Sequence, residues 1–559
     1  MCGIFALLNP TIFGNKLDQN IIKYQFMKGK RRGPEYSILE HHYLQMCLGF
    51  HRLAINGLNQ ESNQPIVFKD IVLICNGEIY NYKQLYETLD TINITDSDCE
   101  VIIHLFLKYG IEQTLIMLDG VYSFVLYDKR DGCNKVYIAR DPLGVRPLYK
   151  MHNNNMYGFA SELKCLCYFY NSVLQHNNSS LEQFEPGTYS LLNYQEQEWT
   201  PIITNKIYYI PTFSYTLPHI GVAIAKQDII CNISQRLKIS VEKRCNTTER
   251  PVACLLSGGL DSSLIAALVA NYFKTKCIQI ETYSIGLKDS EDIKYAKIVA
   301  DYIGSNHTEI IVTEQEMFDV IPEVIEAIES YDTTTVRASI GNYLLGKYIS
   351  SNSNAKVIFN GDGSDELFGG YLYMNKCPDD IEFDKETRRL LKDIHLFDVL
   401  RSDKSISSNG LEPRTPFLDK SFVNYILSIP PEFRNHTNKM NHSIEKYLLR
   451  NSFTKDYFLT ENGRQLLPYE ILLRKKEAFS DGVSSHGRSL YIILQEKIAE
   501  KLNQENNTTY DANIETEKLY YKRIFDKHYA NCSHILPYYW MPKYTTATDP
   551  SARTLDIYK

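Results

Sequence analysis

Nowhere in the 559 residues does an apolar run reach the roughly 18 residues that a membrane span needs. The amino terminus has neither the basic segment nor the apolar core of a secretory signal, so a cytoplasmic location is expected and a membrane is not. Blocks of Lys and Arg are missing too. The net charge of -7 is spread along the chain, which argues against nucleic acid or an anionic lipid surface as partner. The 13 cysteines are odd in number and include no CxxC pair, so reduced thiols are expected rather than disulfides or a zinc site. Walker GK[ST], GxGxxG and internal repeats are likewise absent.

What remains is an ordinary globular composition, 44% hydrophobic and 23% charged. The length exceeds one compact core and predicts about two to four domains. The first two hundred residues read as short strands and turns: MCGIFALL, LQMCLGFHRLAI, DIVLICNGEIYNY, GVYSFVLYD, KVYIARD and GTYSLL. Apolar and alternating runs bounded by Gly, Asn, Asp and Pro predict stacked, largely antiparallel sheets. One helix is predicted at VIIHLFLKYG, with Ser97 and Glu100 as a capping box. Residues 190–220 read as a polar, proline-punctuated linker, with the domain boundary at 205/206. Beyond it VACLL, CIQIETYSIGL and AKVIFNG read as buried parallel strands separated by helical stretches such as SSLIAALVANYF. Residues 206–559 are therefore expected to form a doubly wound parallel-sheet domain with added helices.

In CLLSGGLDSSLIAAL a buried strand runs through two glycines directly into a helix. Such a turn presents backbone N–H groups and a positive dipole end to an anion. Ser257, Gly258, Gly259 and Ser262 would cradle pyrophosphate, and Asp261 would offer a hard oxygen to Mg2+. A second acidic stretch, FNGDGSDELFGGY, follows a later strand and brings Asp365 as a second metal ligand. The alternatives are a plain tight turn and a plain polar loop.

A cysteine directly behind the initiator methionine carries both a thiol and an α-amine once Met1 is removed. That amine has a reference pKa of about 7.7 to 8.0 and can act as general base. Cys2 then unites nucleophile and base in one residue. Arg52 in GFHRLAI can clamp an α-carboxylate, Asn76 and Gly77 in NGEIYN suit an oxyanion hole, and Glu78 and Asp98 remain for an α-ammonium. Together these groups describe glutamine. Singly, Arg52 could be a surface charge, Asn76-Gly77 a hairpin turn, and Asp98 a first-turn helix acid.

The run MCGI, RGP, HRLAI, NGEIYN, LDGVYSFVLYD, ARDPLGVRPLY, LLSGGLDSS, YDTTTVRAS, GDGSDE, RTPFLD and KKEAFSDG resembles the glutamine-hydrolysing asparagine synthetases over nearly the whole chain, with a eukaryotic-type ending, WMPKYTTATDPSARTL. The resemblance implies an N-terminal nucleophile hydrolase domain (1–205) feeding ammonia, through an internal tunnel, to an ATP-pyrophosphatase-type synthetase domain (206–559). It also implies aspartate, glutamine and ATP as substrates, with β-aspartyl-AMP as intermediate and asparagine, glutamate, AMP and pyrophosphate as products. By the same resemblance Leu255, Ile285 and Gly361 contact the adenosine and α-phosphate, and Lys476 meets the phosphates. Asp398 and Arg401 organise the synthetase cleft, Thr335 and Arg337 face aspartate or pyrophosphate, and the acid at Asp362 handles protons. Oligomeric state is not fixed, a homodimer being one state open to it.

Two departures stand out: RRGPEY replaces HRGPD, and NGDGSDE replaces SGEGSDE, so that Asn360 and Asp362 stand where serine and glutamate are usual. The competing readings are a related ligase for another carboxylate, of the β-lactam synthetase kind, and a non-catalytic glutamine or ATP sensor. Amidotransferases with a sugar-isomerase or phosphoribosyltransferase second domain would lack SGGLDSS.

Overall fold

The computed structural model describes residues 2–12, 15–42, 44–132, 134–153, 155–172, 179–211, 226–437, 444–485, 487–505 and 509–556. Two six-stranded antiparallel sheets make up the first half. Their strands in chain order are β1 (Gly3–Leu8), β2 (Tyr36–His42), β3 (Met46–Arg52), β4 (Ile66–Phe68), β5 (Ile71–Ile79), β6 (Gly120–Asp128), β7 (Lys135–Arg140), β8 (Tyr149–Asn153), β9 (Met156–Ala160), β10 (Ser179–Gln183), β11 (Thr188–Gln195) and β12 (Glu198–Ile207). One sheet runs β10-β8-β9-β1-β3-β2 and the other β12-β11-β7-β6-β5-β4.

The apolar runs are continuous because both faces are covered. In β1, Ile4, Ala6 and Leu8 meet Val72, Ile74 and Val125 of the facing sheet. Phe5 and Leu7 point the other way, into a core with Ile22 and Phe26 of an outer helix. On the far side of the second sheet, Leu73 and Phe124 share a core with Ile102 and Leu105 of α1 (Val101–Met117). The layers are helix, sheet, sheet, helix.

Two sequence expectations are corrected here. Residues 190–207 are not linker but most of the β11–β12 hairpin, and 212–225 lie outside the described residues. The Ser97–Glu100 capping box is not formed. Ser97 Oγ accepts from Cys99 N, and Glu100 turns back to accept from the backbone of Ile94 and Thr95, because the first turn is a tight 3-10 one over Asp98–Glu100.

The second half holds a five-stranded parallel sheet of β13 (Val252–Leu255), β14 (Glu281–Gly286), β15 (Asn306–Ile311), β16 (Val357–Phe359) and β17 (Glu412–Arg414), in the order β15-β14-β13-β16-β17. Helices α2 (Leu260–Lys274), α3 (Glu291–Ile303), α4 (Thr333–Asn352) and α5 (Asp398–Ser407) are among those packed around it. Strand order reverses between β13 and β16, so a crevice opens beyond their carboxyl ends, which is where open α/β sheets bind ligands. No helix among the described residues is long and apolar enough to cross a membrane.

Buried ion pairs join the halves. Arg32 reaches Glu162 at 2.9 Å and Asp403 at 2.7 Å, Arg146 reaches Glu412 at 3.6 Å, and Arg414 reaches Glu78 at 3.2 Å. Glu35, one of the sequence departures, accepts from Ala54 N and pairs with Arg250 of the second half at 2.8 Å.

Candidate functional site

Cys2 immediately precedes β1, and its backbone N donates to Asn76 Oδ1 of β5 at 3.2 Å. The thiol donates to Leu53 O at 3.7 Å, and burial pushes its pKa up to about 11 against the opposing pull of Arg52. Asn76 and Gly77 lie within β5, paired with Ser123 and Tyr122, so they are not a hairpin turn. With its carbonyl on Cys2 N, Asn76 makes one further side-chain bond among the described residues, from Nδ2 to Ser161 Oγ at 3.4 Å. A side chain at Gly77 would meet Tyr122 Cβ and Val121 O at 2.7 Å, so only glycine fits.

Arg52 is fastened to its own loop: it donates to Asn59 O at 2.8 Å, to Asn63 Oδ1 at 2.7 Å and to Gly57 O. Asp98 accepts from Ile79 N at 2.7 Å, and Asn56 Nδ2 bridges toward it from Glu78, at 2.7 Å from the glutamate. Burial pushes the Asp98 carboxyl up to about 6 and Glu78 well above the usual range, the latter also because Glu412 and Asp98 crowd it. Of the two, Asp98 has no guanidinium partner among the described residues, whereas Glu78 is already matched by Arg414.

In the second half, one cleft is lined by Leu255, Ser257, Gly259, Asp261, Ser262, Ile285, Gly361, Asp362, Asp365, Asp398, Arg401 and Lys476. Ser257 Oγ and Ser262 Oγ are 3.0 Å apart across the turn that opens α2. Gly258 is not in the lining: its φ of 72° makes the turn, and a Cβ there would strike Ala296 N at 2.4 Å on α3. Gly361 lets the second loop approach the first, since a Cβ would lie 2.8 Å from Ser262 N.

Lys446 Nζ sits 2.5 Å from Asp261 Oδ2 and 2.7 Å from Asp365 Oδ1, while Lys476 Nζ is 2.6 Å from Asp365 Oδ2. The two ammonium groups hold the Asp365 carboxyl well below its usual range despite burial. Two carboxylates spanned by a single cation fit a hard dication such as Mg2+. Lys446, buried at 1% exposure, has no motif in the sequence to announce it. Arg474 is a second addition, donating to Ser257 O at 3.2 Å while paired with Asp292 on α3 at 2.8 Å.

Also on the cleft lining, Arg401 pairs with Asp398 at 2.6 Å and lies 3.9 Å from Asp362. Asp362 N donates to Asn360 Oδ1 at 3.3 Å, and Asn360 Nδ2 donates to Ser402 Oγ at 2.6 Å. The unusual asparagine thus ties the unusual aspartate to α5. Burial raises the Asp362 pKa, with Arg401 opposing. The same helix touches the first domain through Asp403, whose partner Arg32 donates to Cys2 O at 3.0 Å.

Thr335 and Arg337 are not brought to the cleft. Thr335 donates its backbone N–H to Asp332, the residue that caps α4, and Arg337 is buried between Glu517 and Asp549. Thr334, Ala338, Asn342 and Leu345 line the cleft instead, the i, i+4, i+8, i+11 stripe of one helix face. Thr334 Oγ1 is buried there with no hydrogen-bond partner among the described residues.

Fold and site together define an N-terminal-nucleophile glutamine amidotransferase joined to a nucleotide-type α/β synthetase domain. A glutamine amidotransferase domain model matches residues 1–206, and an asparagine synthase model matches 232–381 and 375–547. Asparagine synthetase [glutamine-hydrolyzing] of Gallus gallus is 41% identical over 583 positions, and that of Cricetulus griseus 40% over 582, each spanning 100% of this chain and 99% of the relative. Among solved structures, glutamine phosphoribosylpyrophosphate amidotransferase from B. subtilis aligns with 52% of this chain and 66% of its own, at 20% identity and TM-score 0.30. The chain belongs to the glutamine-hydrolysing asparagine synthetase family.

Proposed function

We propose that this protein makes asparagine from aspartate, ATP and glutamine, with the following division of labour. Freed of Met1, Cys2 attacks the glutamine side-chain carbonyl while its own α-amine takes the thiol proton. Asn76 Nδ2 and the Gly77 N–H stabilise the oxyanion, Arg52 holds the α-carboxylate, and Asp98, seconded by Glu78, holds the α-ammonium. Ammonia leaves, and water releases glutamate from the thioester.

In the synthetase cleft Leu255, Ile285 and Gly361 position AMP, and Ser257, Gly259, Ser262, Lys446 and Lys476 take the pyrophosphate. Asp261 and Asp365 would hold Mg2+, which when bound neutralises phosphate charge. Aspartate's β-carboxylate attacks the α-phosphate and expels pyrophosphate. Ammonia then displaces AMP, with Asp362 accepting the proton it sheds. Arg401 takes the α-carboxylate of aspartate, and Asp398 with Glu366 its α-ammonium.

The observation that carries this reading is the convergence of the two acidic loops, the buried Lys446 and the half-buried Lys476 on one cleft, in a chain whose Cys2 sits beside Asn76. The test is product analysis with ATP, Mg2+, aspartate and glutamine. Asparagine, AMP and pyrophosphate in equal amounts are expected, and ADP with phosphate in place of AMP would refute it.

A further inference from the structure

The carboxyl-terminal segment carries Trp540, which lines the synthetase cleft and is 7% exposed. Its backbone N–H donates to Asp332 Oδ1 at 2.8 Å, while Asp332 Oδ2 caps α4 by accepting from Thr335 N at 2.8 Å. Its rings lie 5.5 Å from Tyr371 and 6.1 Å from Tyr373, tilted and edge-on. The indole is therefore fixed by a helix cap on one side and two aromatic rings on the other. Tyr371 in turn donates to Glu366 and stands 3.4 Å from Asp398 Oδ1, whose other partner is Arg401.

That places the indole on the lining of the cleft, packed against the tyrosine that bonds both Glu366 and Asp398, the latter the partner of Arg401. A rigid aromatic wall beside a charged binding pair limits the size of what fits between it and the reacting centre. We propose that Trp540 is a specificity-determining residue, the wall that admits a four-carbon amino dicarboxylate and rejects its five-carbon homologue. The inference rests on Arg401 and Asp398 taking the α-carboxylate and α-ammonium of aspartate.

The test is ATP/pyrophosphate exchange supported by L-aspartate or by L-glutamate. Trp540→Ala should raise the KM for aspartate more than it lowers kcat, and should cut the ratio of kcat/KM for aspartate over glutamate by about 10-fold, the discrimination that one methylene gives in a fitted pocket. Trp540→Phe should restore most of the ratio, while the KM for ATP stays put. An unchanged ratio in a variant whose glutaminase rate shows it to be folded would overturn the proposal. Should the alanine variant not fold, Trp540→Leu and Trp540→Phe carry the same comparison, and a ratio that fails to follow ring size overturns it equally. Arg401→Ala separates the two layers: loss of aspartate-dependent exchange upholds the underlying assignment, and an unchanged aspartate KM sinks that assignment whatever Trp540 does.

Discussion

The guanidinium of Arg337, 3% exposed, faces Glu517 at 2.5 Å and Asp549 at 2.8 Å, with Gln495 bonding both acids. Arg337→Met leaves two buried carboxylates without a countercharge, and breaking a buried pair this way costs about 3–5 kcal/mol. At about 1–2 °C per kcal/mol for a domain as large as residues 206–559, the synthetase transition should fall by roughly 3–10 °C. Arg337→Lys should recover little, since a point charge cannot bond both acids in the fork geometry. Adding Glu517→Gln and Asp549→Asn to Arg337→Met should restore much of the loss, because no unpaired charge then remains. Calorimetry reads the transition, and aspartate and ATP KM values are read well below it. A normal melting temperature with a large rise in either KM would refute this reasoning and return Arg337 to the substrate.

Asp362→Asn should cut asparagine formation by about 10²-fold or more while sparing aspartate-dependent ATP/pyrophosphate exchange, and Asp362→Glu should retain activity; wild-type synthesis in the asparagine variant would make Asp362 a structural acid. Asp98 bears a carboxyl raised to about 6 by burial, and a raised acid is charged only above that value. Glutamine kcat/KM should therefore fall as pH drops through about 6, and Asp98→Asn should be low at every pH without that limb; an unchanged limb in the variant would assign it elsewhere. Asp261→Asn should abolish Mg2+-dependent pyrophosphate release and leave the glutaminase rate intact, and continued AMP production would move the metal.

The sheets were legible because most strands are covered on both faces and read as unbroken apolar runs. β12 was not: as an edge strand exposed along most of its length it has the polar composition of a linker. The glycine-turn and GDGSDE loops were legible because anion and metal chemistry demands those residue types at the ends of strands. Lys446 was not, since one lysine in SIEKYLLR has no pattern, and only the fold brings it between Asp261 and Asp365. Thr335 and Arg337 were misdirected by motif proximity: on α4 they lie off the Thr334–Ala338–Asn342 stripe, and a helix turns neighbouring side chains by about 100°.

The central claim is that one chain releases ammonia at Cys2 and consumes it in the second domain. The most direct measurement is asparagine formation by wild type and Cys2→Ala, each given either amide-15N-glutamine or 15N-ammonium chloride. Wild type should label asparagine from both donors, and Cys2→Ala from ammonium alone at a rate near that of wild type. Label from glutamine in the Cys2→Ala protein, or a folded variant that has lost both routes, would contradict the account.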